Sequence, residues 1–259
     1  MMRLADDFTN GLNRWHVLET GSGRVEVVDG RLHLIDRPTS GGEYTNAQIS
    51  DYSYQTFHMR WRPPVRLAVR AYAMGGPAVG TAGFGFWNHP LSPDQKRRLP
   101  RLPKAIWFFF AAPPSDLRLA YGVPGSGWQA STVDLTRPRA LALAPFAPLA
   151  VLLMQWRPFY RWLWPRLQPA LCISTGALGD ELLSEAHTYV LDWRSDSATF
   201  SVDGQVVHEA PVAPSGGMGF IAWIDNQYAI VTPRGRFGWG LKPVVQEQRL
   251  VIERIEIDG

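Results

Sequence analysis

Two side chains in this 259-residue chain stand where they could move a proton at neutral pH, His89 and Asp225. An imidazole titrates near neutrality, and a carboxylate can fix its tautomer, so the two together would make an acid-base pair if the chain is an enzyme. Both sit among rings. In "GTAGFGFWNHP" strand alternation puts Trp87 and His89 on one face, in "KAIWFFFAA" it does the same for Trp107 and Phe109, and in "GGMGFIAWIDNQYAIV" for Ile221, Trp223 and Asp225. If these faces meet, they form an aromatic trough edged by Asn88 or His89, Asp225 and Asn226, with Trp128 of "GVPGSGWQA" on its rim. Such a trough stacks on the apolar faces of sugar rings and equally on an isoprenoid-like ligand. The bland alternatives are tryptophans packed in a core, a hydrogen-bonded loop histidine and a turn at Asp225-Asn226.

The elements that would position these residues are strands. "GRVEVVDGRLHLID" alternates apolar and polar residues on both sides of Asp29-Gly30, a hairpin dipeptide. "AQISDYSYQTFHMRWRPP" reads as two further strands stopped by Pro63-Pro64, and period-two segments continue to "RLVIERIEIDG". With 24 glycines and 21 prolines, turns are many and long amphipathic helices few, which points to an all-β sandwich over residues 1–259 as one domain. "LSPDQKRRLPRLP" (91–103) reads as a polar loop with one helical turn. A net charge of +3, carried by dispersed arginines, is too weak a signal for nucleic acid. The single Cys172 cannot form an internal disulfide, and the first residues carry no apolar signal-peptide core, so a cytoplasmic location is expected. No histidine, cysteine or carboxylate cluster has zinc spacing, and the glycine-rich stretch 122–130 lacks the lysine and following helix of a phosphate loop, so no metal and no cofactor is expected from spacing.

Several segments in order carry a family likeness. The opening "DDFTNGLNRWHVLETGSGRVEVVDGRLHLI", the pair "EYTNAQISDYSYQTFHMRWRPP", the signature "HTYVLDWRSDSATFSVDGQVV" and the closing "QRLVIERIEI" together resemble the concanavalin A-like lectin/glucanase superfamily, and within it glycoside hydrolase family 16. The resemblance implies a β-jelly roll of two antiparallel sheets, one of them holding a ligand cleft on its concave side. It also implies a strand bearing E-x-D-x-(x)-E, whose alternate carboxylates hydrolyse glycosides with retention. This chain has no such motif; the corresponding strands read aromatic and glycine. Many relatives carry a structural calcium, for which Asp6, Asp7 and Asp258 are the conceivable oxygen ligands here.

Residues 135–179 form an insert without a single acidic side chain. Its first half, "LALAPFAPLAVLLM", holds Pro145 and Pro148 and falls short of the ~20 apolar residues of a spanning helix. Its second half interleaves Trp156, Trp162 and Trp164 with Arg157, Arg161 and Arg166, a composition suited to the headgroup zone of a bilayer. The insert is expected to be a peripheral membrane anchor or a lid over the cleft, with a homodimer contact or ordinary packing as alternatives.

The expected function is therefore binding of a hydrophobic or glycolipid-type molecule in an aromatic cleft close to a membrane, without family 16 chemistry. The alternatives are an enzyme, either a divergent glycosidase using Glu43, Glu181 or Asp225 or a non-hydrolytic catalyst acting on an apolar substrate, and a plain glycan-binding module.

Overall fold

The computed structural model describes residues 2–75, 79–89 and 101–259, so most of the 91–103 reading lies outside the described residues. Seventeen strands are described: β1 (Arg3–Asp6), β2 (His16–Thr20), β3 (Gly23–Val28), β4 (Arg31–Asp36), β5 (Asn46–Ser50), β6 (Val65–Met74), β7 (Thr81–Trp87), β8 (Lys104–Ala111), β9 (Gly127–Asp134), β10 (Ser174–Ala177), β11 (His187–Trp193), β12 (Ala198–Val202), β13 (Gln205–Ala210), β14 (Gly219–Asp225), β15 (Gln227–Val231), β16 (Phe237–Leu241) and β17 (Gln248–Asp258). Fifteen of them make two antiparallel sheets, ordered β13-β12-β11-β6-β17-β4-β3, with β1 also on β17, and β10-β9-β8-β7-β14-β5-β2, while β15 and β16 pair as a separate two-stranded hairpin. This is the concanavalin A-like jelly roll.

Alternation explains the two layers. In β6, Val65, Leu67, Val69 and Ala71 point inward, while Arg66 and Arg70 face out and pair with Asp192 and Glu253, so these arginines form a solvated outer face. In β7, Ala82, Phe84 and Phe86 enter the same core from the opposite sheet. The turn at Asp29-Gly30 has φ of 50° and 71°, the left-handed pair that a two-residue hairpin requires.

The strand expected to end at Pro63-Pro64 does not form, apart from a bridge between Trp61 and Met218. The chain instead wraps around Asp51, whose carboxylate accepts from Arg60 Nε at 2.9 Å, from Phe220 N at 2.7 Å and from Trp61 Nε1. Those partners fix residues 51–61 as a loop tied to β14, leaving no register for a ladder.

The insert is helical: α1 (Pro138–Leu143), α2 (Ala147–Leu153) and α3 (Arg157–Leu167). Its prolines, read in the sequence as interruptions, fall mostly in first turns, where the missing N–H has no helical partner to lose. Trp164 is buried and its indole donates to Leu119 O at 2.7 Å, so it fastens α3 to the sandwich and is no membrane-facing residue. No described helix is long and apolar enough to cross a membrane.

Candidate functional site

The outer face of the β10-to-β2 sheet carries a cleft of about 410 Å³. Its floor comes from three adjacent strands in register: Gly85 of β7 lies between Trp107 of β8 and Ile221 of β14, and Gly83 between Phe109 and Trp223. The missing side chains of these glycines let the flanking rings close over β7. A Cβ on Gly85 would come within 2.5 Å of Trp107 Cβ, and one on Gly83 within 3.1 Å of the Trp223 ring. The rings accordingly touch one another: Trp107 and Trp223 centroids are 5.1 Å apart, Trp107 and Phe109 stack at 5.5 Å, and Trp87 leans on Trp107 at 5.5 Å. Leu117 packs on the same cluster.

Polar groups border this platform. Asp225 is opposite Thr81, and its Oδ1 accepts from Thr81 N at 3.1 Å, Thr81 Oγ1 at 2.9 Å and Gln227 N at 3.1 Å. Among the described residues all of its hydrogen bonds run through Oδ1. Burial lifts its carboxyl to about 7, against the lowering effect of the Thr81 and Gln227 bonds. Asn46 and Gln48 of β5 line the cleft on the same side, with Tyr44, Thr20 and Leu18 beside them, and Gln48 donates to the Tyr54 hydroxyl. The β15–β16 hairpin contributes Gln227, Tyr228 and Ala229 as a wall.

Of the residues expected at the site, Trp87, His89, Trp107, Phe109, Trp223 and Asp225 line the cleft. Three others do not. Trp128 shares parity with Phe108 and Phe110, points between the sheets and packs on Phe108 and Tyr189. Asn88 is spent on the chain: its amide donates to Leu102 O at 2.9 Å and its oxygen accepts from Lys104 N at 3.0 Å, which sets the start of β8. Asn226 accepts from Thr45 N and donates to Glu43 O and Lys242 O, a staple beneath the cleft wall.

The His89–Asp225 pair does not form either. Asp225 lies beside the first residue of β7, and His89 lies two residues beyond its last, so the length of β7, roughly 20 Å at strand spacing, stands between them. His89 Nδ1 instead lies 2.9 Å from the Tyr52 hydroxyl. Glu43 and Glu181 are outside the cleft, so among the described residues Asp225 is its only carboxylate. No residue of the insert lines the cleft, so the insert is not its lid.

The carboxylates named from the resemblance as conceivable calcium ligands each have a partner within the chain. Asp6 accepts from Phe8 N and the Trp15 indole, Asp7 from Thr9, and Asp258 faces Arg3 at 3.3 Å. Among the described residues no group of three or more histidine, cysteine or carboxylate side chains could hold a metal.

Sequence reading missed Asn46 and Gln48. The signal was available: in "NAQIS" Ala47 and Ile49 take the core parity, which leaves Asn46, Gln48 and Ser50 together on the other face. Tyr228 carried no such signal, because its place depends on how the hairpin folds back.

No protein-family model matches the chain, and no curated protein matches it significantly in sequence. Its structure does have neighbours. An endo-1,3-β-glucanase from Streptomyces sioyaensis superposes with a TM-score of 0.55 at 15% identity, over 98% of this chain and 94% of the other. A β-1,3-1,4-glucanase (lichenase) from a mouse hindgut metagenome gives 0.54 at 13%, over 100% and 99%. An endo-acting O-glycanase of the human gut microbiota gives 0.54 at 12%, over 98% and 97%. At these identities the likeness is one of fold.

Proposed function

We propose that the cleft binds a glycan, free or as the headgroup of a glycolipid, and that it does so without the two-carboxylate hydrolysis of family 16. The observation carrying this reading is the pairing of an aromatic floor, Trp107 with Trp223 and Phe109, with a polar border of Asp225, Asn46 and Gln48 along one side. Sugar rings present apolar faces to the first and hydroxyls to the second. A purely apolar ligand would bury Asp225 Oδ2 with no hydrogen-bond partner, a cost that a sugar hydroxyl avoids. The neighbours named above act on glucans or on mucin O-glycans, which supports a carbohydrate ligand for a cleft in the same scaffold.

Hydrolysis with retention needs two carboxyl groups about 5 Å apart. The strand β8 offers Ala105, Trp107, Phe109 and Ala111 on the cleft face, and Asp225 stands alone among the described lining residues. A second reading is an enzyme in which Asp225, protonated near neutrality, gives its proton to a leaving oxygen. A glycan array that includes glycolipid headgroups, run beside an assay for new reducing ends, separates the readings. Saturable array binding with no product supports the binding role, and product formation lost in Asp225→Asn supports the enzyme. Absence of both refutes the carbohydrate ligand.

A further inference from the structure

The insert and the β15–β16 hairpin form a second, separate surface. In the insert, Phe146, Leu149, Leu152 and Trp156 are each more than half exposed, Leu152 by 67% and Trp156 by 68%. The hairpin adds Phe237 at 78% and Trp239 at 66%. The two parts are joined: Gln155 Nε2 donates to Arg234 O at 2.9 Å, Arg234 Nη2 donates to Gln155 O at 2.8 Å, and α2 packs against the hairpin turn at Gly235. Between the helices and that turn runs an apolar groove of about 490 Å³ whose described lining contains one polar side chain, Thr232. Large rings and leucines left in water at this density mark an interface.

Charge identifies what covers it. Arg139, Arg157, Arg161 and Arg166 are exposed on the same helices, none makes an ion pair among the described residues, and residues 135–179 contain no aspartate or glutamate. Arg166 lies over the Trp162 ring at 4.9 Å, holding a guanidinium and an indole at one level, as at a headgroup boundary. A second copy of the chain fits poorly, because a two-fold contact would set this patch against itself, arginine against arginine with no acid between. An anionic lipid surface meets both requirements: phosphates for the guanidinium groups and acyl chains for the rings, leucines and groove.

We propose that this surface docks the protein onto an anionic bilayer, with the insert helices lying in the interface and the outer face of the β15–β16 hairpin resting beside them. The hairpin then belongs to both surfaces, since Tyr228 walls the cleft from one face of it while Phe237 and Trp239, of the opposite parity, meet lipid from the other. Docking is independent of what the cleft holds.

The test is co-sedimentation of the whole chain with sugar-free vesicles, phosphatidylcholine alone or mixed with phosphatidylglycerol. The wild type is compared with the insert variant Phe146→Ser/Leu149→Ser/Leu152→Ser and the hairpin variant Phe237→Ser/Trp239→Ser, each first shown by melting and circular dichroism to be folded. Binding is expected to anionic vesicles, to weaken as salt rises, and to fall about tenfold or more in each variant separately. Equal pelleting of wild type and both folded variants, or no pelleting of the wild type, overturns the proposal. So does concentration-dependent dimerisation without lipid that the same variants abolish. Because the vesicles carry no sugar, failure here leaves the glycan reading standing, and the reverse holds equally.

Discussion

Thr81 and Asp225 face each other across the β7–β14 ladder, and Thr81 commits both its N–H and its hydroxyl to one oxygen of the Asp225 carboxylate, at 3.1 and 2.9 Å. The hydroxyl also accepts the Trp223 indole N–H at 3.0 Å, so the acid and the aromatic floor are held by a single threonine. Thr81→Val keeps the shape and removes that junction. Ligand affinity is expected to fall severalfold while the melting temperature moves by a few degrees, checked by titration and calorimetry on the same preparation.

Asp225 gives a pH dependence whose sign follows from burial. Its folded carboxyl titrates at about 7, above the ordinary 3.8, so between these values the folded state holds a proton the unfolded state has released. Stability from this group is greatest at low pH and declines as pH rises toward 7, then stays flat. Asp225→Asn is neutral throughout and escapes that decline. The variant is therefore expected to gain on the wild type in melting temperature from pH 4 to pH 7 and to keep the gain at pH 8. A difference independent of pH would mean that the carboxyl titrates normally.

Two tryptophans separate floor from core. Trp107 is half-buried on the cleft face, whereas Trp128 is 1% exposed between the sheets. Trp128→Ala leaves a large cavity and is expected to cost about 3–5 kcal/mol, while Trp107→Ala costs clearly less. Denaturant titration of both variants measures this directly, and equal losses would place Trp107 in the core.

Gly85 is the position where any side chain collides with the floor. A Cβ there meets Ile106 O and both Cα and Cβ of Trp107 at 2.5 Å, two backbone atoms and one bonded directly to the backbone, none of which can swing aside. Gly85→Ala is expected to destabilise by roughly 1–3 kcal/mol and to weaken ligand binding by displacing Trp107. Gly42, which would meet nothing within 4 Å, provides the control substitution.

Cys172 is fully buried and its thiol is pushed up to about 12, chiefly by burial. Labelling by a thiol reagent at pH 8 should be slow in the native protein and become rapid once denaturant unfolds it. Fast native labelling would show that this part of the structure opens.

Much of the architecture could be read from the chain because strands encode their faces at period two. "TAGFGFW" gave both sides of β7 at once, phenylalanines to the core and glycines with Trp87 to the cleft. The same rule failed where a side chain stood in for backbone. Asn88 and Asn226 look like border residues by position, yet their amides satisfy main-chain groups distant in sequence, and nothing local announces that. Residues 55–62 alternate like a strand but answer to the buried carboxylate of Asp51, a tertiary partner. The insert was illegible in shape, since prolines that break a helix internally also begin one.

The most direct test is calorimetric titration of the strongest array glycan into the wild type and Trp107→Ala. The account predicts saturable one-site binding by the wild type and an affinity lower by about tenfold or more in the variant, each factor of ten being about 1.4 kcal/mol of lost stacking. Undiminished binding by a folded Trp107→Ala protein would contradict it, because the sugar would then lie somewhere other than on the rings of the cleft.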